Sequence, residues 1–135
     1  MHSRFCKVCD QSYSRKYVTE WCQPCHSKFF QSKFRKWTSK NTEIDKFLQH
    51  VQYDANSYYK VAEWIPYNRL LEKKQIGKGG FGTIYSAYWL DGQILNWDIH
   101  NQNWNRNKVQ SIVLKILKNS NSHTCNLLKE VSFQF

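Results

Sequence analysis

Apolar side chains recur at helical spacing in two places. Ile44, Phe47, Leu48 and Val51 stand at i, i+3, i+4 and i+7 within SKNTEIDKFLQHVQYDA, the signature of an amphipathic helix. Asn41 or Thr42 can cap it, and Glu43 and Asp45 sit near the positive end of its dipole. The apolar face has to pack on something, and the strands that follow are the expected partner. His50 lies alone in this helix and is expected at the surface. An earlier stripe, Phe30, Phe34 and Trp37 at i, i+4 and i+7, predicts a helix with the lysines and Arg35 off the stripe. These rings are expected as core rather than as a base-stacking surface. Pro66, in EWIPYNRLL, ends the helical pattern and leads into an extended run. Two later stretches, FGTIYSAYWL and SIVLKIL, are rich in β-favouring residues and read as strands. Between them, residues 90–108 read by composition as a polar loop. No repeat and no run of 18 apolar residues occurs, so no segment is expected to span a membrane.

Four of the five cysteines sharpen the reading of the first forty residues. They stand as CKVC (Cys6, Cys9) and CQPC (Cys22, Cys25), a C-x2-C-x12-C-x2-C pattern. A two-residue gap lets one turn aim both sulfurs at a single ion. Zn²⁺ accepts four thiolates in a tetrahedron without ligand-field cost. The opening MHSRFCKVCD lacks the apolar stretch of a signal peptide. The expected compartment is therefore intracellular, cytoplasm or nucleus, where thiols stay reduced and paired cysteines read as metal ligands. No βαβ pattern surrounds either pair, which argues against redox CxxC motifs. Four cysteines close the shell, so the zinc is structural rather than catalytic. His26 could replace Cys25 as a ligand, but Cys25 keeps the two-residue spacing. A second knuckle leading into a helix is a treble-clef-like arrangement.

Charge is uneven. Residues 1–40 hold nine Lys/Arg against Asp10 and Glu20, whereas residues 41–135 hold eleven against eight acids. Four thiolates and one Zn²⁺ would reduce the first unit from +7 to about +5. Lys28, Lys33, Arg35, Lys36 and Lys40 could form a phosphate-binding face for nucleic acid, or a solvated helix face. A protein partner for this basic unit is equally open.

Gly77, Gly79 and Gly82 form G-x-G-x-x-G. Dinucleotide-binding folds share that spacing, but there the glycines open a helix. Here β-favouring residues follow, so the glycines turn a hairpin. Its backbone, from Ile76 and Gly77 through Lys78, Gly79, Gly80 and Phe81 to Gly82, can approach phosphate oxygens, with Phe81 covering them from water. Ile84 fits the aliphatic position that packs on adenine in a protein-kinase loop. Lys115 sits inside the apolar run SIVLKIL, where burial gives no reason for a lysine. Its ammonium would neutralise the α- and β-phosphates and pair with a glutamate on the next helix, for which Glu130 in TCNLLKEVSF is the candidate.

With loop, lysine and glutamate in order, the chain resembles protein kinases of the tyrosine-kinase-like serine/threonine group. The stretches WTSKNTEIDKFLQ, EWIPYNRL, IGKGGFGTIYSAYWLDGQILNWD and NWNRNKVQSIVLKILKNS extend the match. They are similar to the large kinase family expanded in arbuscular mycorrhizal fungi. That resemblance implies a paired-CxxC leader, a linker and a Trp-rich insertion between the second and third strands. Val113 departs from the pattern, which has Ala against adenine. No H-R-D-L-x-x-x-N and no D-F-G occurs in the 135 residues. WDIHNQNWN has its acids and asparagines in the wrong order for a catalytic loop.

The expected architecture is α+β: a four-cysteine zinc-binding unit (1–40), a helical linker (41–67) and a partial kinase N-lobe (68–135). That lobe would hold three antiparallel strands and the start of helix αC. The expected function is the N-terminal part of an ATP-dependent serine/threonine-type protein kinase, inactive by itself. ATP and Mg²⁺ would bind fully only in a complete kinase. The alternative is a non-enzymatic zinc-binding module for nucleic acid or protein, carrying a kinase remnant.

Overall fold

The structure is a computed structural model that describes residues 5–11, 21–80 and 82–117. It is α+β, with two helices followed by five antiparallel strands. Helix α1 spans Gln23–Lys33 and α2 spans Thr42–Asp54. Strands β1 (Leu70–Gly79), β2 (Gly82–Trp89) and β5 (Gln110–Leu117) form one sheet in the order β1-β2-β5. Strands β3 (Ile94–Asp98) and β4 (Asn103–Arg106) form a separate two-stranded sheet. The chain divides into two compact units. One comprises residues 1–64 with 94–105, the other 65–93 with 106–135.

In the first unit, α1 starts at Cys22 and carries Pro24 in its first turn, where a missing N–H costs nothing. Its helical part ends at Lys33, and one 3₁₀ turn continues to Lys36. Trp37, the last member of the predicted stripe, is therefore extended backbone, one residue beyond that turn. Asn41 caps α2, its side chain accepting from the Glu43 and Ile44 N–H groups at 2.9 and 3.1 Å. Asp45 accepts from Ser39 and Thr38 just ahead of the cap, and these bonds lower its pKa. Helix α2 stops at Asp54, well before Pro66, and packs on α1 rather than on the strands. Ser27 Oγ and Gln23 Nε2 both donate to the Tyr53 carbonyl. That carbonyl belongs to the last turn of α2, where no intrahelical donor is left. His50 is exposed and faces Asp54 at 3.1 Å.

Residues 90–108 differ most from the sequence reading. They hold β3, a turn and β4 rather than a polar loop. Asp98 builds the turn, accepting from the His100 and Asn101 backbone at 2.9 and 3.1 Å and from the Asn101 side chain at 2.7 Å. Ile94, only 2% exposed, is buried with Trp21 and Phe30, and Phe34, Tyr58, Val61 and Trp104 pack around them. Trp21 also donates its indole N–H to the Ala55 carbonyl at 3.0 Å.

In the second unit, alternation along the sheet buries one face. Ala87, Trp89 and Ile112 form its core with Leu70, flanked by Ile65 and Leu114. Two irregularities bend β1, between Leu71 and Lys74 and between Gln75 and Gly77; Glu72 takes a left-handed φ of 54° in the first. Arg69 grips Asp91 with both ends of its fork, at 3.1 and 2.8 Å. The strands leading to and from the β3–β4 hairpin are joined at their base. Asn107 N–H donates to the Gln93 carbonyl at 2.7 Å, and Arg106 donates to the Gly92 carbonyl at 2.9 Å. Gly92 has φ +71°, and a Cβ there would press into the Asn107 and Lys108 carbonyl oxygens.

Two outcomes follow for this unit. Gly92→Ala combines left-handed strain with a backbone clash, so it should lower unfolding free energy in urea by about 2 kcal/mol or more. The Arg69 fork holds the Asp91 carboxyl below its ordinary 3.8. A depressed folded-state value means the pair stabilises fully above about pH 4 and loses that contribution as pH falls below it. The pair is partly exposed, so Asp91→Asn should cost only about 0.5–1 kcal/mol at pH 7. The gap from wild type should close towards pH 3 in paired urea melts.

Candidate metal centre and glycine-hairpin site

The first CxxC is a tight turn. Asp10 N–H donates to the Cys6 carbonyl at 2.9 Å, and Cys6 N–H donates to Gln11 at 2.8 Å. Asp10 takes φ 62° to close it. Inside the turn, Val8 N–H points at Cys6 Sγ from 3.4 Å. The second CxxC is the start of α1. Cys22 is the N-cap residue, and His26 N–H donates to its carbonyl at 2.9 Å. The positive end of the helix dipole thus lies at Cys22 and Cys25 and favours thiolate there.

These two turns bring all four sulfurs within 4.8 Å of one another. Cys6 and Cys25 sulfurs are 3.9 Å apart, and those of Cys9 and Cys22 are 3.6 Å apart. Zn–S bonds of about 2.3 Å at tetrahedral angles require sulfurs about 3.8 Å apart. Those two edges match that spacing, all four sulfurs lie close enough to share one metal ion, and the cysteines are free rather than bridged. Cys6, Cys22 and Cys25 are buried, and Cys9 is exposed. A hydrogen bond from the Gln11 backbone lowers the Cys9 thiol to about 7. Burial, then the neighbouring sulfurs, pushes Cys25 up, and burial pushes Cys22 up. Without a cation, four ionised sulfurs this close would repel; a divalent ion offsets that.

His26 is buried but is not in the cluster. Its Nδ1–H donates to the Cys22 carbonyl at 2.8 Å, which fixes the neutral tautomer. Burial lowers its pKa to about 4, against the carbonyl, which raises it. The ring stacks on Trp21 at 3.8 Å. Phe29 packs on the buried cysteines and stacks on Trp97, centroids 4.4 Å apart. A cleft of about 190 Å³ runs beside the sulfurs, lined by Lys7, Val8, His26, Phe29, Trp97 and Asn105. Trp97 and Trp104 belong to this unit although they follow the cysteines by some 70 residues. The signal that could have placed them is two tryptophans flanking an Asp-led turn, WDIHNQNW.

In the sheet, Gly79 pairs with Gly82 and encloses a two-residue turn, so the glycines do form a hairpin tip. Gly82 takes φ 147°, a region that favours glycine. Gly77 pairs with Ile84, and Ile84 pairs with Lys115. The three form one row across the three strands, on the face opposite the Ala87–Ile112 core. Lys115 is exposed, and Val113, two positions before it on the same face, is 54% exposed. Ile76 lies in the second irregularity of β1, unpaired with β2 and exposed; Lys78 pairs with Thr83. Added methyls at Gly79 or Gly80 would meet nothing within 4 Å. Phe81 and Glu130 lie outside the described residues, as does the predicted start of αC. Among the described residues, no helix is long and apolar enough to cross a membrane. No protein family, no curated protein and no solved structure matches this chain.

Proposed function

We propose that the chain is the leading part of an ATP-dependent serine/threonine-type protein kinase, built from a structural zinc unit and the glycine-loop sheet of the small lobe. The observation that carries this reading is the row Gly77–Ile84–Lys115. It sets a glycine, an aliphatic side chain and a lysine side by side on one uncovered face. Glycine admits phosphate oxygens, Ile84 and Val113 offer an apolar surface to adenine, and the Lys115 ammonium meets phosphate charge. Glu130 would pair with Lys115. Turn-borne and helix-borne knuckles with four sulfurs support a treble-clef-like zinc unit. Zinc there would be held by Cys6, Cys9, Cys22 and Cys25 and would fix two loops to one point, with no open position for catalysis.

The 135 residues supply no catalytic aspartate and no Mg²⁺-binding pair from the H-R-D and D-F-G motifs. Each lost charge-assisted contact costs roughly 1.5–3 kcal/mol. Losing several moves nucleotide affinity into the millimolar range or beyond. A second reading, a zinc-binding module for nucleic acid or protein, draws on exposed Lys28, Arg35, Lys36 and Lys40. Salt-sensitive binding of a single-stranded RNA oligonucleotide, lost when these four become alanine, would favour it.

Purified protein should contain about one equivalent of zinc by elemental analysis, as closed four-thiolate sites do. The equivalent should disappear when Cys6 and Cys22 are replaced together by Ser; its retention would rule the site out.

Millimolar Mg-ATP should shift the NMR resonances of Gly77, Gly79, Gly82 and Lys115, with no phosphoryl transfer. Lys115→Met should abolish the shifts. Shifts confined to other residues would count against the row. ATP turnover by the 135 residues, lost in Lys115→Met, would overturn the inactive reading.

A further inference from the structure

We infer that the metal centre holds the β3–β4 hairpin in place, so that metal occupancy sets the order of the connection between the glycine-hairpin strand β2 and the lysine strand β5. The inference rests on the zinc reading above and goes beyond it.

The hairpin has five residues in one strand and four in the other. A two-stranded hairpin of that size is marginal in water, so its order must come from what it packs on. Its inward-facing side chains meet α1 and Trp21, which precedes the helix. Trp104 lies 4.3 Å from Phe30 and parallel to Trp21 at 6.3 Å, while Trp97 lies parallel to Phe29 at 4.4 Å. Ile94 completes the same core. Lys33, from the last turn of α1, sits 5.7 Å from the Trp97 ring centre.

The rings that receive the hairpin are close to a ligand in sequence. Trp21 precedes Cys22, and Phe29 is one turn beyond Cys25. Helix α1 itself has 11 residues, no side-chain cap and no acid in its first turn. Helices that short are marginal without tertiary anchors. Filling the four-thiolate site fixes its first turn and places negative charge at its positive end. The bonds from Ser27 and Gln23 to Tyr53 are a second anchor, which does not involve the sulfurs. These bonds do not suffice alone to hold the helix's first turn. In sequence, the hairpin leaves β2 through Gly92 and Gln93 and enters β5 at Gln110, five residues before Lys115. The Asn107–Gln93 and Arg106–Gly92 bonds still join the two arms at their base, so the loosening falls on residues 94–106 of that connection.

Hydrogen exchange on the whole chain, zinc-loaded and then stripped with EDTA, tests this. Amides of residues 94–106 should exchange at least about tenfold faster without metal, and slow again when ZnCl₂ is returned. Linkage demands the reverse effect: Trp104→Ala should weaken zinc about tenfold in chelator competition, with Trp104→Phe recovering most of it. If wild type binds no zinc, the zinc reading fails and this inference with it. If it binds one equivalent and residues 94–106 stay equally protected with and without it, the inference alone is overturned. Should Trp104→Ala fail to fold, the wild-type exchange comparison decides.

Discussion

Four sulfurs within 4.8 Å of one another are the constraint on which the first unit depends. Two of them start α1, and two come from a turn that precedes it in sequence. Among the described residues, Phe29 is the partly buried hydrophobic side chain that packs on the buried cysteines. The unit is small, and small domains rarely bury enough apolar surface to hold their loops. A tetrahedral ion would solve this by adding four directional bonds to that core. It also removes the conflict visible in the thiols, where burial and neighbouring sulfurs oppose ionisation at Cys25 and burial opposes it at Cys22.

From that point the aromatic side chains extend the order outward. Trp21, His26, Phe29 and Phe30 form a continuous surface on and beside α1, and Trp97 and Trp104 pack on it. Large rings suit this task because each buries much area at the cost of two torsions. His26 contributes as a flat neutral ring, its tautomer fixed by the Cys22 carbonyl. Burial and that hydrogen bond explain its position without making it a ligand.

Much of this was legible in the sequence, and what was not has a physical cause. The C-x2-C spacing is local and chemically specific, so the sulfur cluster could be read directly. Asn41 was legible as a cap, and Gly79 with Gly82 as a hairpin, because turns are decided by residues a few positions apart. FGTIYSAYWL and SIVLKIL were legible as strands from their β-favouring residues, whereas the register that sets Ile84 opposite Lys115 was not. Helix ends were less legible: Trp37 keeps the stripe's spacing but lies past the 3₁₀ turn. The partner of α2 was misjudged because periodicity shows that a face is apolar, not what covers it. The β3–β4 hairpin was missed because WDIHNQNWN is polar by composition, and its order comes from rings some 70 residues earlier. Such distant packing leaves no local mark.

The sheet shows the complementary situation. Its period of two puts Ala87, Trp89 and Ile112 on one face and Ile84, Val113 and Lys115 on the other. The first face is covered around Ala87, Trp89 and Ile112, and the second is largely open, with Val113, Leu71 and Tyr88 each about half exposed. An aliphatic surface beside a lysine has little structural value when it faces water. It becomes useful when something flat and anionic lies across it, because the aliphatic groups exclude water and the local dielectric falls. Coulomb attraction to an ammonium rises as that dielectric falls. The affinity of such a face is thus set by what closes over it. On the proposed kinase reading, an exposed Lys115 would act through a high local dielectric, so the row's hold on a nucleotide would be weak until something closes over it.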